Sequence, residues 1–137
     1  MDKALNYLAL ARKASRVELG EEPVGAVARA NHARLVIVAQ DATDHTWRRA
    51  CSFVAGTEQL CIRVPFSKEE MGQATGRSAL ALAAFTDPAL ALAFVKALGA
   101  EKYPEALASL EKRTTRVQQR QQEERAHRKN VRFGKKK

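Results

Sequence analysis

The chain is 137 residues long, 45% hydrophobic and 28% charged, with a formal net charge of +9; that length accommodates one core of ordinary domain size. The excess charge sits at one end. Met1 to Glu111 holds thirteen basic and thirteen acidic residues, while Lys112 to Lys137 holds eleven basic residues against Glu123 and Glu124. A neutral globule with a basic arm points to a polyanion partner, because such an arm gains affinity by releasing counterions from phosphates. The plainer reading is a solvated end that aids solubility. A membrane surface fits poorly, since the arm has no aromatic or leucine face to insert. Cys51 and Cys61 are too few for a disulfide framework or a metal knot, so two reduced thiols and a cytoplasmic protein are expected. No secretion signal is visible ahead of the first amphipathic pattern.

In chain order, Asp2 is the expected N-cap of a helix to Ala14, with Leu5, Leu8 and Ala9 at helical spacing. Val17 to Leu19 fits a short strand ending at Gly20. Glu21-Glu22-Pro23 reads as a helix start, acidic residues favouring the positive end of the dipole and proline the first turn; this helix stops near Asn31. Leu35-Val-Ile-Val-Ala39 is unbroken by polar groups, as a strand buried on both faces requires. A third helix follows Asp41 to Asp44, with Trp47, Cys51 and Val54 on one face, and ends near Gly56. Leu60 to Val64 is a further strand, closed by Pro65. Ser67 and Glu70 form a capping box for a short helix ending at Gly76. Ala79 to Phe85 is a strand of small residues, and Asp87-Pro88 launches a helix to Leu98. The apolar run from Ala79 to Leu98 is thus strand, turn and helix rather than a membrane span.

Strands alternating with helices predict a single three-layer α-β-α sandwich of the α/β class, around a mixed, mostly parallel sheet of about four strands. The domain is expected over 1–99, followed by a basic C-terminal extension over 100–137, helical or disordered. Leu107 and Leu110 are placed to dock back on the globule, but from Arg113 to His127 almost nothing is apolar.

Enzymatic chemistry is not evident. His32, His45 and His127 stand at no metal or triad spacing. Gly72-Gln-Ala-Thr-Gly76-Arg-Ser lacks the phosphate-loop spacing and follows a helix rather than a strand. Glu21-Glu22 and Glu69-Glu70 are explained by helix starts. No cofactor, no metal and no catalytic residue is expected. Three loops fall on one edge of the expected sandwich: Gly20 to Pro23, Asp41 to Trp47, and Arg77 to Leu80. Two of them run into helix N-termini, whose free N–H groups suit phosphate or base edges. Trp47 is placed either to stack an unpaired base or to serve as a packing anchor.

Gly20-Glu-Glu, Leu35-Val-Ile-Val-Ala-Gln-Asp-Ala42 and Ser67-Lys-Glu-Glu-Met-Gly-Gln-Ala-Thr-Gly76, in this order and spacing, resemble the L-seven-Ae and L-thirty-e ribosomal proteins. Among these, the chain is most similar to the bacterial YlxQ-like members. The resemblance covers Leu5 to Leu98 and implies an α-β-α fold that binds kink-turn or related internal-loop RNA, often on ribosomes. It places RNA contacts at Gly20, Glu21, Glu22, Thr43, Trp47, Arg77, Ser78 and Ala79. The family's asparagine, glutamate and lysine at the tip correspond here to Glu22, Pro23 and Ala26; only the glycine is retained. The tip is therefore expected to read a kink-turn less tightly, with the arm supplying affinity through Arg113, Arg116, Arg120, Arg128, Lys129, Arg132, Lys135, Lys136 and Lys137.

The function expected is that of a monomeric, cytoplasmic, non-enzymatic RNA-binding protein of translation, with structured or ribosomal RNA as partner and no membrane. Two alternatives stand beside it. One is an adaptor between proteins of ribosomes or RNA-processing complexes. The other is an RNA-substrate-binding partner of a separate RNA-modifying enzyme.

Overall fold

The structure, a computed structural model, describes residues 2–133, and of these no side chain at positions 117 or 127–133. Arg128, Lys129, Arg132 and Lys135 to Lys137 therefore have side chains outside the described residues. The order is α1 Lys3–Lys13, β1 Val17–Leu19, α2 Glu21–Arg29, β2 Leu35–Val38, α3 Asp44–Val54, β3 Cys61–Arg63, α4 Lys68–Thr75, β4 Leu82–Phe85 and α5 Pro88–Leu98. A 3-10 turn over Ala100–Lys102 leads into α6, Pro104–Phe133. The caps expected at Asp2, Ser67 and Asp87 form, and Thr43 adds an unexpected one. Asp2, Thr43, Ser67 and Asp87 each accept a backbone N–H at the start of their helix, and Ser67 with Glu70 completes the capping box.

The four strands form one mixed sheet in the order β1-β4-β2-β3, between α1, α4 and α5 on one side and α2 with α3 on the other. The expectation of mostly parallel pairing needs correction. β2 and β3 are parallel, but β4 lies between β1 and β2 and is antiparallel to both. The cause is the turn after α4, which reverses the chain before it has crossed the sheet. Gly76 adopts a left-handed φ of 78° and turns the chain round, so that the Leu80 N–H reaches the Lys68 carbonyl at the start of α4. β4 thus begins at the end where β3 finishes. Gly72 permits this return: a Cβ there would stand 2.7 Å from the Arg77 carbonyl oxygen and 2.8 Å from the Ala79 nitrogen.

β2 is buried on both faces along its whole length, as its unbroken apolar run requires. Phe85 and Phe94, with ring centroids 5.0 Å apart, fill the core beside Leu8, Leu35 and Ile37. In α3 the buried positions are Ala50 and Val54, while Trp47 and Cys51 of the expected face are only half-buried. Buried Gln59 joins two loops by accepting from the Ala33 N–H at 2.9 Å and donating to the Ala28 carbonyl at 3.0 Å.

The arm begins as part of this packing. Ala106 and Leu110 are buried, Leu107 packs against the core, and the Tyr103 hydroxyl donates to the Arg63 carbonyl at 2.9 Å. Ten residues on, Arg113 donates to the Glu58 carbonyl at 3.0 Å. Beyond Thr114 every described side chain of α6 is exposed. The extension is one continuous helix through Phe133.

Candidate nucleic-acid interface

Because β1, β2 and β3 all point the same way, their C-terminal ends and the start of β4 share one end of the sheet. The three loops singled out from the sequence converge there. Gly20 enters α2 with φ 95°, a conformation that a side chain rarely adopts, and its N–H donates to the Leu82 carbonyl at 3.1 Å. No side chain caps α2, so its opening amides at Glu21 and Glu22 remain the positive end of a helix dipole. Arg77 arrives from the turn after Gly76 and lies over this tip: a Cβ on Gly20 would stand 3.6 Å from Arg77 Nη1. Ser78 and Ala79 follow, both exposed.

Asp41 fixes the middle loop. Its Oδ1 accepts from the Lys68 N–H at 2.8 Å, binding the β2–α3 loop to the start of α4. Thr43 is exposed, and its hydroxyl oxygen accepts from the Thr46 N–H at 3.2 Å. The hydroxyl already caps α3, leaving one remaining lone pair for an incoming donor.

Glu21 and Glu22 have different surroundings. Glu21 pairs with Arg49 of α3 at 3.1 Å, with both side chains nearly half exposed, so the pair contributes little to stability. The Arg49 guanidinium also sits 5.3 Å from the Phe53 ring centroid. Glu22, Pro23 and Ala26 line a groove of about 510 Å³ between α2 and α3. Glu21, Arg29, Arg49 and Phe53 complete the lining, so two carboxylates and two guanidinium groups share the groove.

Trp47 combines the two roles expected of it. It is half-buried and packs against the core, and one face of its indole carries the Arg63 guanidinium at 5.0 Å from the centroid. Arg63 Nε and Nη2 are buried with no hydrogen-bond partner among the described residues, so the ring's π face is the group that solvates them. A base stacking on that face must first displace Arg63.

The arm residues lie elsewhere. Arg113, Arg116 and Arg120 line a recess with Arg34, which precedes β2 at the opposite end of the sheet. Between Tyr103 and Arg113, α6 runs roughly 15 Å at its ordinary rise per residue, from the loop end to that far end. Sequence reasoning missed Arg34, Arg49, Arg63 and Asp41. Strand register was the available signal for Arg34, whose N–H meets the Phe85 carbonyl at the end of β4. Arg49 and Phe53 stand at i,i+4 in α3, a spacing readable from the sequence, whereas the contact of Arg63 with Trp47 leaves no trace in spacing.

Among the described residues, no helix is long and apolar enough to cross a membrane. No family model matches the chain, and no curated protein does. Solved structures do match. A protein of unknown function from Bacillus halodurans C superposes with a TM-score of 0.66 at 22% identity, over 72% of this chain and 98% of its own. The 15.5kD RNA-binding protein of Giardia lamblia superposes with a TM-score of 0.56 at 19% identity, over 71% of this chain and 82% of its own. At these identities the likeness establishes the fold: the chain shares its α-β-α architecture with an RNA-binding protein.

Proposed function

We propose that this protein binds structured RNA through the loop end of its sheet and catalyses no reaction. The observation that carries the reading is that Gly20, Thr43 and Arg77 to Ala79 share one end of the sheet, with Arg77 over the uncapped start of α2. Free N–H groups and a guanidinium there match the acceptors of an unpaired RNA segment, and the Thr43 hydroxyl oxygen offers a lone pair to a donor such as a ribose hydroxyl. The shared architecture with the Giardia RNA-binding protein supports it. The finer reading is a kink-turn-like internal loop in ribosomal RNA, bound by a cytoplasmic monomer of the translation apparatus. Glu22, Pro23 and Ala26 weaken that grip, because they stand where the resemblance implies an asparagine, a glutamate and a lysine at the tip.

The test is ultraviolet crosslinking in cells followed by sequencing of the attached RNA. Enrichment of structured ribosomal or internal-loop RNA is expected. Recovery of protein partners without RNA would instead favour the adaptor reading.

A further inference from the structure

At the far end of the sheet, Arg34 and Arg113, Arg116 and Arg120 of α6 surround a recess of about 230 Å³ with Asn31 and Glu58. Four guanidinium groups face one carboxylate, and no ion pair neutralises any of the four among the described residues. Arg113 is held in place by the Glu58 carbonyl at 3.0 Å. Burial lowers the pKa of Arg34, and the charge of Arg113 lowers it further. Like charges gathered this closely raise the energy of the free protein, and a bound polyanion relieves it.

We propose that this recess is a second RNA-backbone site, distinct from the loop end, so that one molecule holds two segments of RNA at once. The proposal rests on the RNA-binding reading above. The source of the phosphates follows from shape. Positions 113, 116 and 120 fall at i, i+3 and i+7, on one face of the helix. They stretch over roughly 10 Å of its axis, longer than a single phosphate, so a run of phosphates along a strand fits better than a free anion. Beyond the recess, α6 continues with every described side chain exposed. A duplex laid along it meets no obstruction from the globule.

The test uses the full chain and its variant Arg34→Gln/Arg116→Gln/Arg120→Gln, with Arg113 kept because it anchors α6. The probes are a plain RNA duplex, a kink-turn hairpin and inorganic pyrophosphate. Each phosphate contact adds about 0.7–0.9 to the slope of log affinity against log salt. The triple variant should therefore bind the duplex with a slope lower by about two to three, at an unchanged melting temperature. Pyrophosphate should fail to displace the duplex. An unchanged slope, with the hairpin still bound, overturns the second site and leaves the loop-end reading standing. Displacement by pyrophosphate at micromolar concentration overturns RNA as the ligand in favour of a free phosphate compound. If the wild-type chain binds neither RNA, both readings fall.

Discussion

Replacing Gly72 by alanine sets two physical effects of opposite sign against each other. Gly72 lies inside α4 and is buried. Helix propensity alone gives Gly→Ala a gain of about 1 kcal/mol in a helix interior. The returning chain opposes it: the new Cβ would stand 2.7 Å from the Arg77 oxygen, 2.8 Å from the Ala79 nitrogen and 2.9 Å from the Ala79 Cα. All three are backbone atoms, so no side chain can swing aside, and the cost falls near the upper end of the ~1–3 kcal/mol typical of overpacking. The net expectation is a loss of about 2 kcal/mol. For a domain of this size that lowers the melting temperature by roughly 6–8 °C. The strain has one outlet, displacement of Arg77 to Ala79 from the α2 tip, so RNA affinity should fall with stability. Calorimetry and a hairpin-binding titration measure the two together, with Gln73→Ala on the exposed neighbouring position as the control. A Gly72→Ala protein more stable than wild type would refute the reasoning, because propensity would then have prevailed over the clash.

Trp47→Ala should cost about 2 kcal/mol in urea denaturation, less than the ~3–5 kcal/mol of a fully buried tryptophan, since the indole is half-buried and shelters Arg63; an unchanged midpoint contradicts its role as an anchor. Glu22→Asn with Pro23→Glu and Ala26→Lys should raise affinity for a kink-turn hairpin, by analogy with base contacts worth ~1–3 kcal/mol; nanomolar binding by the wild type would show that the tip was never impaired. Burial, with the charge and hydrogen bond of neighbouring Cys51, pushes the Cys61 thiol far above its ordinary range, against a smaller lowering by Arg63. A pKa raised on folding contributes stability below the unfolded thiol's pKa of about 8.5 and loses it as pH rises past that value. Denaturation midpoints should therefore decline above that pH, and less steeply in Cys61→Ala; equal declines would remove Cys61 from the account.

Much of the fold was legible because its signals are local. The unbroken Leu35 to Ala39 run could only be a strand covered on both faces, and Ser67 with Glu70 marked the start of α4. The position of β4 was not legible. Its antiparallel pairing depends on the Gly76 turn and on the space over Gly72, and both are tertiary facts that a pattern of strands and helices does not encode. The loop end was foreseen as three separate loops, but the meeting of Arg77 with Gly20 and the Asp41 clasp on α4 are contacts between residues distant in sequence. The arm's charge was plain from composition. Its course was not, because the docking of Tyr103, Ala106 and Leu110 carries the basic stripe away from the loops it was expected to assist.

The central claim is that RNA is met at the loop end of the sheet, and mapping backbone amide shifts of the full chain against a kink-turn hairpin tests it most directly. The account predicts the largest shifts at Gly20 to Glu22, at Thr43 to Trp47, and at Arg77 to Ala79. Shifts confined to α6, with those three loops silent at saturation, would contradict it.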